Sequence, residues 1–344
     1  MNSKAPSLDV SRSPEEPTFV GASPVAEAVA ALRQAAGICS RIRADAPFQT
    51  KSDSSPVTVA DFAVQAVLAR RLAQAVPDGV LVAEEDSRSL QGESGRPMMT
   101  EVVRHVRSVF PGATAKDVQG WIDLGRGEPA TDFWTLDPVD GTKGFRRGGQ
   151  YGIALARILQ GRVTLAGLAC PALSLTVPGL AAEPGVLAVA AHGEGTWACG
   201  LSGGSWVRLR ASAVDDPREA RCLRSVEGAH TDEDWLLRIL SDMGIIRSPA
   251  RMDSQAKYLV VAAGEADLIF RLVPHANRGH REWIWDQAAA ALLVEEAGGR
   301  VTDLEGRPLD FGAGRRLERN FGVLATNGHL HDAALATLRR ISPR

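Results

Sequence analysis

No run of apolar residues in this 344-residue sequence approaches the roughly 20 that a membrane-spanning helix requires, so a chain threaded through a bilayer on helices is excluded and no membrane partner is expected. No block of like charge stands out either. Lysines and arginines (39) and aspartates and glutamates (41) are interspersed to a net charge of -2, which leaves no polybasic footprint for nucleic acid or anionic lipid. Cysteine is scarce: Cys39, Cys170, Cys199 and Cys222 lie far apart and form no Cys-x-x-Cys pair. That spacing excludes a disulfide framework and a thiolate zinc site, and points to free thiols in a reducing compartment. Residues 1–20 have neither the apolar core of a secretory leader nor the acid-poor, Arg-rich character of a transit peptide, and carry Asp9, Glu15 and Glu16 among Ser and Pro. They are expected to form a disordered tail on a cytoplasmic protein.

What is there is the composition of a globular protein, 44% apolar and 23% charged, long enough to bury one large core or two intimately packed ones. Ser23-Pro24 opens a helix whose apolar positions Val25, Val29, Leu32, Ala36 and Cys39 follow a 3.6-residue rhythm. Residues 47–56 make a polar loop suited to a mobile cover, and a second helix is expected over 58–75 with Val64, Val67, Leu68 and Leu72 inward. Pro77-Asp78-Gly79 then turns the chain into a short buried strand, 80–83, that runs into Glu84-Glu85-Asp86. Gly-rich and charged loops are expected from there to an apolar strand at 133–136. Two apolar runs between 151 and 169 flank Gln160-Gly161-Arg162 and read as a hairpin, and 185–210 reads as a second. In the second half, Thr231 and Asp234 are spaced for a capping box. Helices are expected over 254–263, 285–296 and 330–341, and strands over 266–273 and 322–325, with Gly298-Gly299 as a helix stop. The alternation predicts an α/β chain: an α+β N-terminal domain, 21–178, and an α/β C-terminal domain, 179–344, divided in the loop-like stretch 171–184.

The most telling segment is Asp137-Pro138-Val139-Asp140-Gly141-Thr142-Lys143-Gly144-Phe145. Two carboxylates three positions apart follow an apolar strand, and a Gly-Thr step follows them. Hard divalent cations take carboxylate and carbonyl oxygens. An Asp-Pro-x-Asp turn can bring the side chains of Asp137 and Asp140 and the carbonyl of Val139 into one small volume. The backbone N–H groups of Gly141 and Thr142 suit a phosphate. The pattern points to metal-dependent hydrolysis of a phosphate ester. Asp-Pro and Asp-Gly are also ordinary turn formers. Glu84 with Glu85 and Asp86 is equally a solvated strand end, Asp61 equally a complement to a helix dipole, and Asp286 equally an N-cap. Together they supply acids from strand ends and helix starts in both halves, the geometry of an interdomain cleft that collects metals.

Glu84-Glu85, the run from Asp137 to Thr142, and Trp285-Asp286-Gln287-Ala288-Ala289 closing with Glu296-Ala297-Gly298-Gly299 resemble, in family order, the signatures of the lithium-sensitive, magnesium-dependent phosphatases of the inositol monophosphatase superfamily. The likeness runs from about residue 25 to the C-terminus and implies a layered αβαβα sugar-phosphatase fold. A narrower likeness is carried by Lys51-Ser52-Asp53-Ser54-Ser55-Pro56-Val57-Thr58, the run from Asp137 to Phe145, Asp253-Ser254-Gln255-Ala256-Lys257-Tyr258 and Leu309-Asp310-Phe311-Gly312. It is to the 3′(2′),5′-bisphosphate nucleotidases, which remove the 3′-phosphate of adenosine 3′,5′-bisphosphate (PAP), the by-product of sulfate transfer from its sulfated form, PAPS. The segment from Asp253 to Tyr258 is the diagnostic piece, because inositol monophosphatases lack it.

That resemblance implies a set of roles. Glu84, Asp137, Asp140 and Asp286, with the Val139 carbonyl, would ligate two or more Mg2+ ions. Asp61 and Thr142 would orient and deprotonate the attacking water, with no phosphoenzyme. His230, Ser254, Lys257, Arg271 and Asp286 would meet the nucleotide, Lys257 and Arg271 clamping the phosphate that the metals do not hold. Lithium would inhibit by replacing one magnesium with a cation of lower charge. The implied partner is a small nucleotide, and the chain would be a monomer or weak homo-oligomer. Without the resemblance, Lys257 and Arg271 read as salt-bridge residues and His230 as a solvated loop histidine. Two other functions stay open: the same chemistry on an inositol (poly)phosphate, with no need for Lys257, and a sensor that binds PAP without cleaving it.

Overall fold

The computed structural model describes residues 17–21, 24–43, 48–50, 56–227, 232–273 and 279–341. Helix α1 (Val25–Ile42) is followed by two short antiparallel strands, β1 (Phe48–Thr50) and β2 (Pro56–Thr58), and by α2 (Val59–Ala75). Thr58 caps α2 in a capping box with Asp61. Strand β3 (Val80–Ala83) leads to α3 (Gly92–Val106) and α4 (Ala115–Asp123), then to β4 (Asp132–Asp140) and the short α5 (Thr142–Arg147). Five more strands complete the first half: β5 (Gly152–Leu159), β6 (Arg162–Cys170), β7 (Val186–Ala191), β8 (Gly195–Gly200) and β9 (Gly203–Arg208). The rest alternates: β10 (Cys222–Arg224), α6 (Glu233–Asp242), β11 (Ala250–Arg251), α7 (Ala256–Ala262), β12 (Leu268–Arg271), α8 (Ala288–Glu296), β13 (Arg300–Thr302), β14 (Val323–Thr326) and α9 (His331–Arg340). Among the described residues no helix is long and apolar enough to cross a membrane.

The strands form a seven-stranded sheet in the order β3-β4-β5-β6-β7-β8-β9 and a five-stranded sheet in the order β11-β10-β12-β14-β13. Side chains alternate between the faces of a strand, and both faces of each sheet are covered. On the first sheet Trp134, Leu136, Ile153 and Leu155 pack with α1 and α2, while Phe133, Ala154, Ala156 and Ile158 turn the other way, onto α7 and α8. Those two helices also receive Leu223, Ile269, Val323 and Ala325 from the second sheet. The far side of the second sheet, with Leu268, Phe270 and Leu324, is closed by α6 and α9. The stack is α1/α2, sheet, α7/α8, sheet, α6/α9, which is the expected αβαβα layering.

Several expectations are corrected. The stretch after Glu84 holds α3 and α4 rather than loops alone. Gly92, Gly95 and Pro97 at the start of α3 mask the helical rhythm of Met98, Met99, Val102, Val103 and Val106. The stretch 185–210 is three strands, not one hairpin, and β7 pairs with β6 across the expected boundary at 178/179. The strand pairing thus carries the first sheet to Arg208, and the change of sheet comes between Arg208 and Cys222. Asp232, not Thr231, caps α6, with its Oδ1 accepting from Trp235 N at 2.9 Å; Thr231 lies outside the described residues. Helix α8 starts at Ala288, so Asp286 caps nothing. Helix α7 starts at Ala256 instead of 254, and β12 spans less than the expected 266–273. Most of the expected tail lies outside the described residues, and Thr18–Gly21 forms a 3-10 helix.

One buried titratable group reports on the packing of the outer layer. His331, at the start of α9, is fully buried, with Nε2 3.0 Å from Thr302 Oγ1 and Nδ1 3.0 Å from Thr326 Oγ1. The Thr302 hydroxyl already donates to the Asp303 carbonyl, which leaves it to accept from Nε2–H and Nδ1 to accept from Thr326. Burial, with Arg300 nearby, pushes this imidazole down to about 4. An unfolded histidine titrates near 6.5, so the unfolded chain takes up the proton first, and the contribution of neutral His331 is complete above about pH 6.5 and fades as the pH falls towards 4. Urea unfolding at pH 7 and pH 4.5 should therefore show the native chain losing about 2 kcal/mol more than the His331→Gln variant; equal losses would remove this histidine as the cause.

Candidate active site

The site begins at an irregularity in β4. Asp137 pairs with Ala154 and Asp140 with Gly152, so three steps along β4 face two along β5. Residues three apart on a regular strand point to opposite faces. The extra residue, beside a Pro138 that has no N–H for the ladder, restores the parity, and Asp137, Val139 and Asp140 all line one cavity of about 350 Å3. Gly141 follows with φ +83°, a left-handed conformation that starts α5, and a Cβ on it would fall 2.9 Å from Ser254 Cβ.

Three more acids come from elsewhere. Glu84 follows β3, its N–H donating to Leu136 O at 3.3 Å, and lines the cavity. Its neighbours diverge. Glu85 is buried, with its N–H donating to Gln65 Oε1 at 2.9 Å and its carbonyl accepting from Gln65 Nε2 at 2.5 Å, and Asp86 caps the next turn and pairs with Arg88. The acidic triplet is thus split three ways. Asp286 reaches the cavity from the residues just before α8. Asp61 is buried under its capping box: Oδ2 accepts from Thr58 N at 2.8 Å and from Thr58 Oγ1 at 2.6 Å. The Thr142 hydroxyl lies 3.3 Å from Asp61 Oδ1 and 3.1 Å from Val139 O.

These carboxylates feel one another. Burial, then Glu84, Asp140, Asp286 and Asp61, holds the Asp137 carboxyl well above its ordinary range. Burial and Glu282 do the same for Asp286, while Asp140 is raised by burial against the pull of Lys257 and the N–H of Gln255. Among the described residues no three acidic, His or Cys side chains stand in a ready-made metal shell. The donor chemistry nevertheless fits hard divalent cations: the four cavity acids Glu84, Asp137, Asp140 and Asp286 present carboxylate oxygens beside the Val139 carbonyl, and the buried Oδ1 of Asp137 has no hydrogen-bond partner.

The same cavity is also lined by cations. Ser254 holds φ +64°, which aims the N–H of Gln255 at Asp140 Oδ2. The Ser254 hydroxyl accepts from Ala256 N at 3.1 Å, and its carbonyl accepts from Lys257 Nζ at 2.6 Å. Lys257 is buried, and burial with the repulsion of Arg271 lowers it to about 8. Arg271 also lines the cavity; burial opposes its charge, but Glu282, 2.5 Å away, and other acids outweigh that and hold it charged. His230 lies outside the described residues.

Sequence reasoning missed the rim. Arg147 bridges Glu227 Oε1 at 2.5 Å and Asp253 Oδ2 at 2.7 Å, and Lys143 Nζ lies 3.1 Å from Glu227 Oε2. It also missed Glu282, the partner of Arg271. The one available signal is the spacing of Lys143 and Arg147, one helical turn apart on α5; their partners are 80 or more positions away and leave no local trace.

A family model described as the inositol monophosphatase family matches residues 16–343. A rice (Oryza sativa) protein named 3′(2′),5′-bisphosphate nucleotidase is 38% identical over 92% of this chain and 94% of its own length. Among solved structures, an IMPase from Thermotoga maritima superposes with a TM-score of 0.64 at 20% identity, covering 93% of this chain and 98% of that one. A second, described as an IMPase/NADP phosphatase complexed with Mg2+ and phosphate, gives 0.58 at 18% identity over 89% of this chain and 91% of that one. The chain therefore belongs to the inositol monophosphatase family and is a hydrolase of that family.

Proposed function

We propose that this chain is a magnesium-dependent, lithium-sensitive 3′(2′),5′-bisphosphate nucleotidase that releases the 3′-phosphate of PAP. The observation that carries this reading is the pairing, within one cavity, of an acidic wall (Glu84, Asp137, Asp140, Asp286) with a buried cationic one (Lys257, Arg271). An ester with a single phosphate needs only the first wall; a bisphosphate uses both. The name of the rice relative and the magnesium and phosphate in the IMPase/NADP phosphatase complex support it from outside the chain.

Glu84, Asp137, Asp140, Asp286 and the Val139 carbonyl are the residues that would hold magnesium. Bound divalent ions lower the pKa of an attacking water and neutralise charge on the entering and leaving oxygens. The chain supplies the rest. Thr142 Oγ1 orients the water, and Asp61 Oδ1, 3.3 Å from that hydroxyl, takes the proton. Its other oxygen is fixed by Thr58, so the carboxylate keeps its direction while charge develops. The N–H groups of Gly141 and Thr142 hold the phosphate being cleaved. Ser254 and Lys257 lie against the second phosphate, with Arg271 behind them in a pair with Glu282.

Phosphate release should be measured from PAP, PAPS, inositol 1,4-bisphosphate and inositol 1-phosphate, with Mg2+ alone and with added Li+. Fast release from PAP that lithium suppresses is expected. Preference for an inositol phosphate would keep the acidic wall and overturn the roles of Lys257, Arg271 and His230; tight PAP binding without turnover would make the chain a sensor. Asp140→Asn should lose about 100-fold or more in kcat while melting as the native protein does, and unchanged turnover would remove Asp140 from the ligand set. Lys257→Met should raise KM for PAP about 10–100-fold, the worth of a charge-assisted hydrogen bond, and leave cleavage of inositol 1-phosphate nearly unchanged. Because Lys257 is lowered to about 8 and loses its proton above that, KM of the native enzyme should rise past pH 8 and that of Lys257→Met should not.

A further inference from the structure

Glu84 and Asp286 reach the cavity from different layers, and each follows a residue that one side chain holds. Arg315 lies between β13 and β14. Its Nη2 donates to Ala83 O at 2.7 Å and its Nη1 to Gly127 O at 2.8 Å. Its guanidinium carbon lies 5.1 Å from the ring centroid of Trp285, and its carbonyl accepts from Ile284 N at 3.1 Å. One residue thus touches the residue before Glu84 and the residue before Asp286.

The anchoring is needed on both sides. Strand β3 is the edge of its sheet. Beyond it the chain at 125–127 adds only a short ladder, with Ala83 N donating to Gly125 O at 2.8 Å and Gly127 N to Leu81 O at 3.0 Å. The carbonyls of Ala83 and Gly127, where that ladder ends, are bonded by the planar fork of Arg315, a geometry that an ammonium cannot reproduce. On the other side Trp285 stacks on Trp283 at 4.7 Å and 11°, and Trp283 lies 3.4 Å from the guanidinium of Arg316. The arginine therefore bears on a stiff aromatic stack.

We propose that Arg315 is a positioning residue of the metal site, fixing the separation of Glu84 and Asp286 by joining the end of β3 to the aromatic stack before α8. This rests on the reading of those two carboxylates as metal ligands. Outer residues that orient ligands typically cost 10–100-fold in metal affinity when lost, and Arg315 acts through two backbones at once.

The test is isothermal titration of the full chain with Mg2+ and with Mn2+, without substrate and well below the melting temperature, for the native protein, Glu84→Gln, Arg315→Met and Arg315→Lys. Arg315→Met keeps the aliphatic stem and loses the fork; its affinity for the divalent ion should fall about 10–100-fold. Arg315→Lys keeps the charge and can reach one carbonyl at a time; its affinity should fall by a smaller factor. That second variant serves if the first does not fold. Native affinity in Arg315→Lys or Arg315→Met, with affinity lost in Glu84→Gln, overturns the role of Arg315 and leaves the metal site standing, even if the melting temperature drops. Native affinity in Glu84→Gln overturns the ligand assignment, and the role of Arg315 falls with it.

Discussion

Everything in this cleft depends on holding like charges together. Two unit charges 4 Å apart repel by about 4 kcal/mol in a partly screened protein environment, and five acids act on one another here: Asp137 feels Glu84, Asp140, Asp286 and Asp61. Left to themselves such side chains would rotate towards water. Four of the five are instead tied through their own local structure: Asp137 and Asp140 by the bulge in β4, Asp140 also by the Gln255 N–H, Asp61 by Thr58, and the Glu84 backbone by Leu136 O and the Gln65–Glu85 clamp. A cation is the natural counterpart of a cluster built this way, because it removes the repulsion that the hydrogen bonds only withstand.

The layering explains why the cluster can draw on both halves. Helix α8, Ala288–Glu296, is apolar and buried from Ala288 to Val294 and lies between the two sheets. Its first turn is alanine, which lets both sheets approach closely. Asp286 sits just before that helix, and Gln255 reaches across to it, its Nε2 donating to Trp285 O at 3.1 Å and its Oε1 accepting from Ala290 N at 3.3 Å. The same Gln255 offers its backbone N–H to Asp140. One residue of the second half therefore holds the strand end of the first half and the helix start of the second.

Legibility in the sequence followed the range of the interactions. The acids of the run from Asp137 to Thr142 were readable because the motif is contiguous and its chemistry is local. The α2 cap is half readable: Asp61 stands out as an acid near a helix start, while its pairing with Thr58 does not. Helices α3 and α4 were hidden for opposite reasons. Breakers at Gly92, Gly95 and Pro97 obscure the first, and the second is short, although Thr114 and Asp117 are spaced for the capping box that they form. The stretch around Pro178 looks like a linker in the sequence, yet β6 pairs with β7 across it and both strands pack on α8. Glu227, Glu282 and Arg315 were invisible as site residues, since each earns its place only through a contact with a distant part of the chain.

Asp61 shows that the ordinary reading of a residue and the chemical one need not compete. Its Oδ2 completes a helix cap that any soluble protein would use, and its Oδ1 faces the Thr142 hydroxyl. A base that only needed the right pKa could sit on a flexible stem. In the base role proposed above, Asp61 must accept a proton from a single direction and needs its second oxygen fixed, and the capping box does so with two short hydrogen bonds from a residue three positions away. Ser254 repeats the economy in backbone terms: its left-handed conformation is strained for a residue with a side chain, and it aims the next N–H at Asp140. In both cases a local structural device sets the orientation of a cleft carboxylate, so the rigidity of the fold and the preorganisation of the site are the same hydrogen bonds.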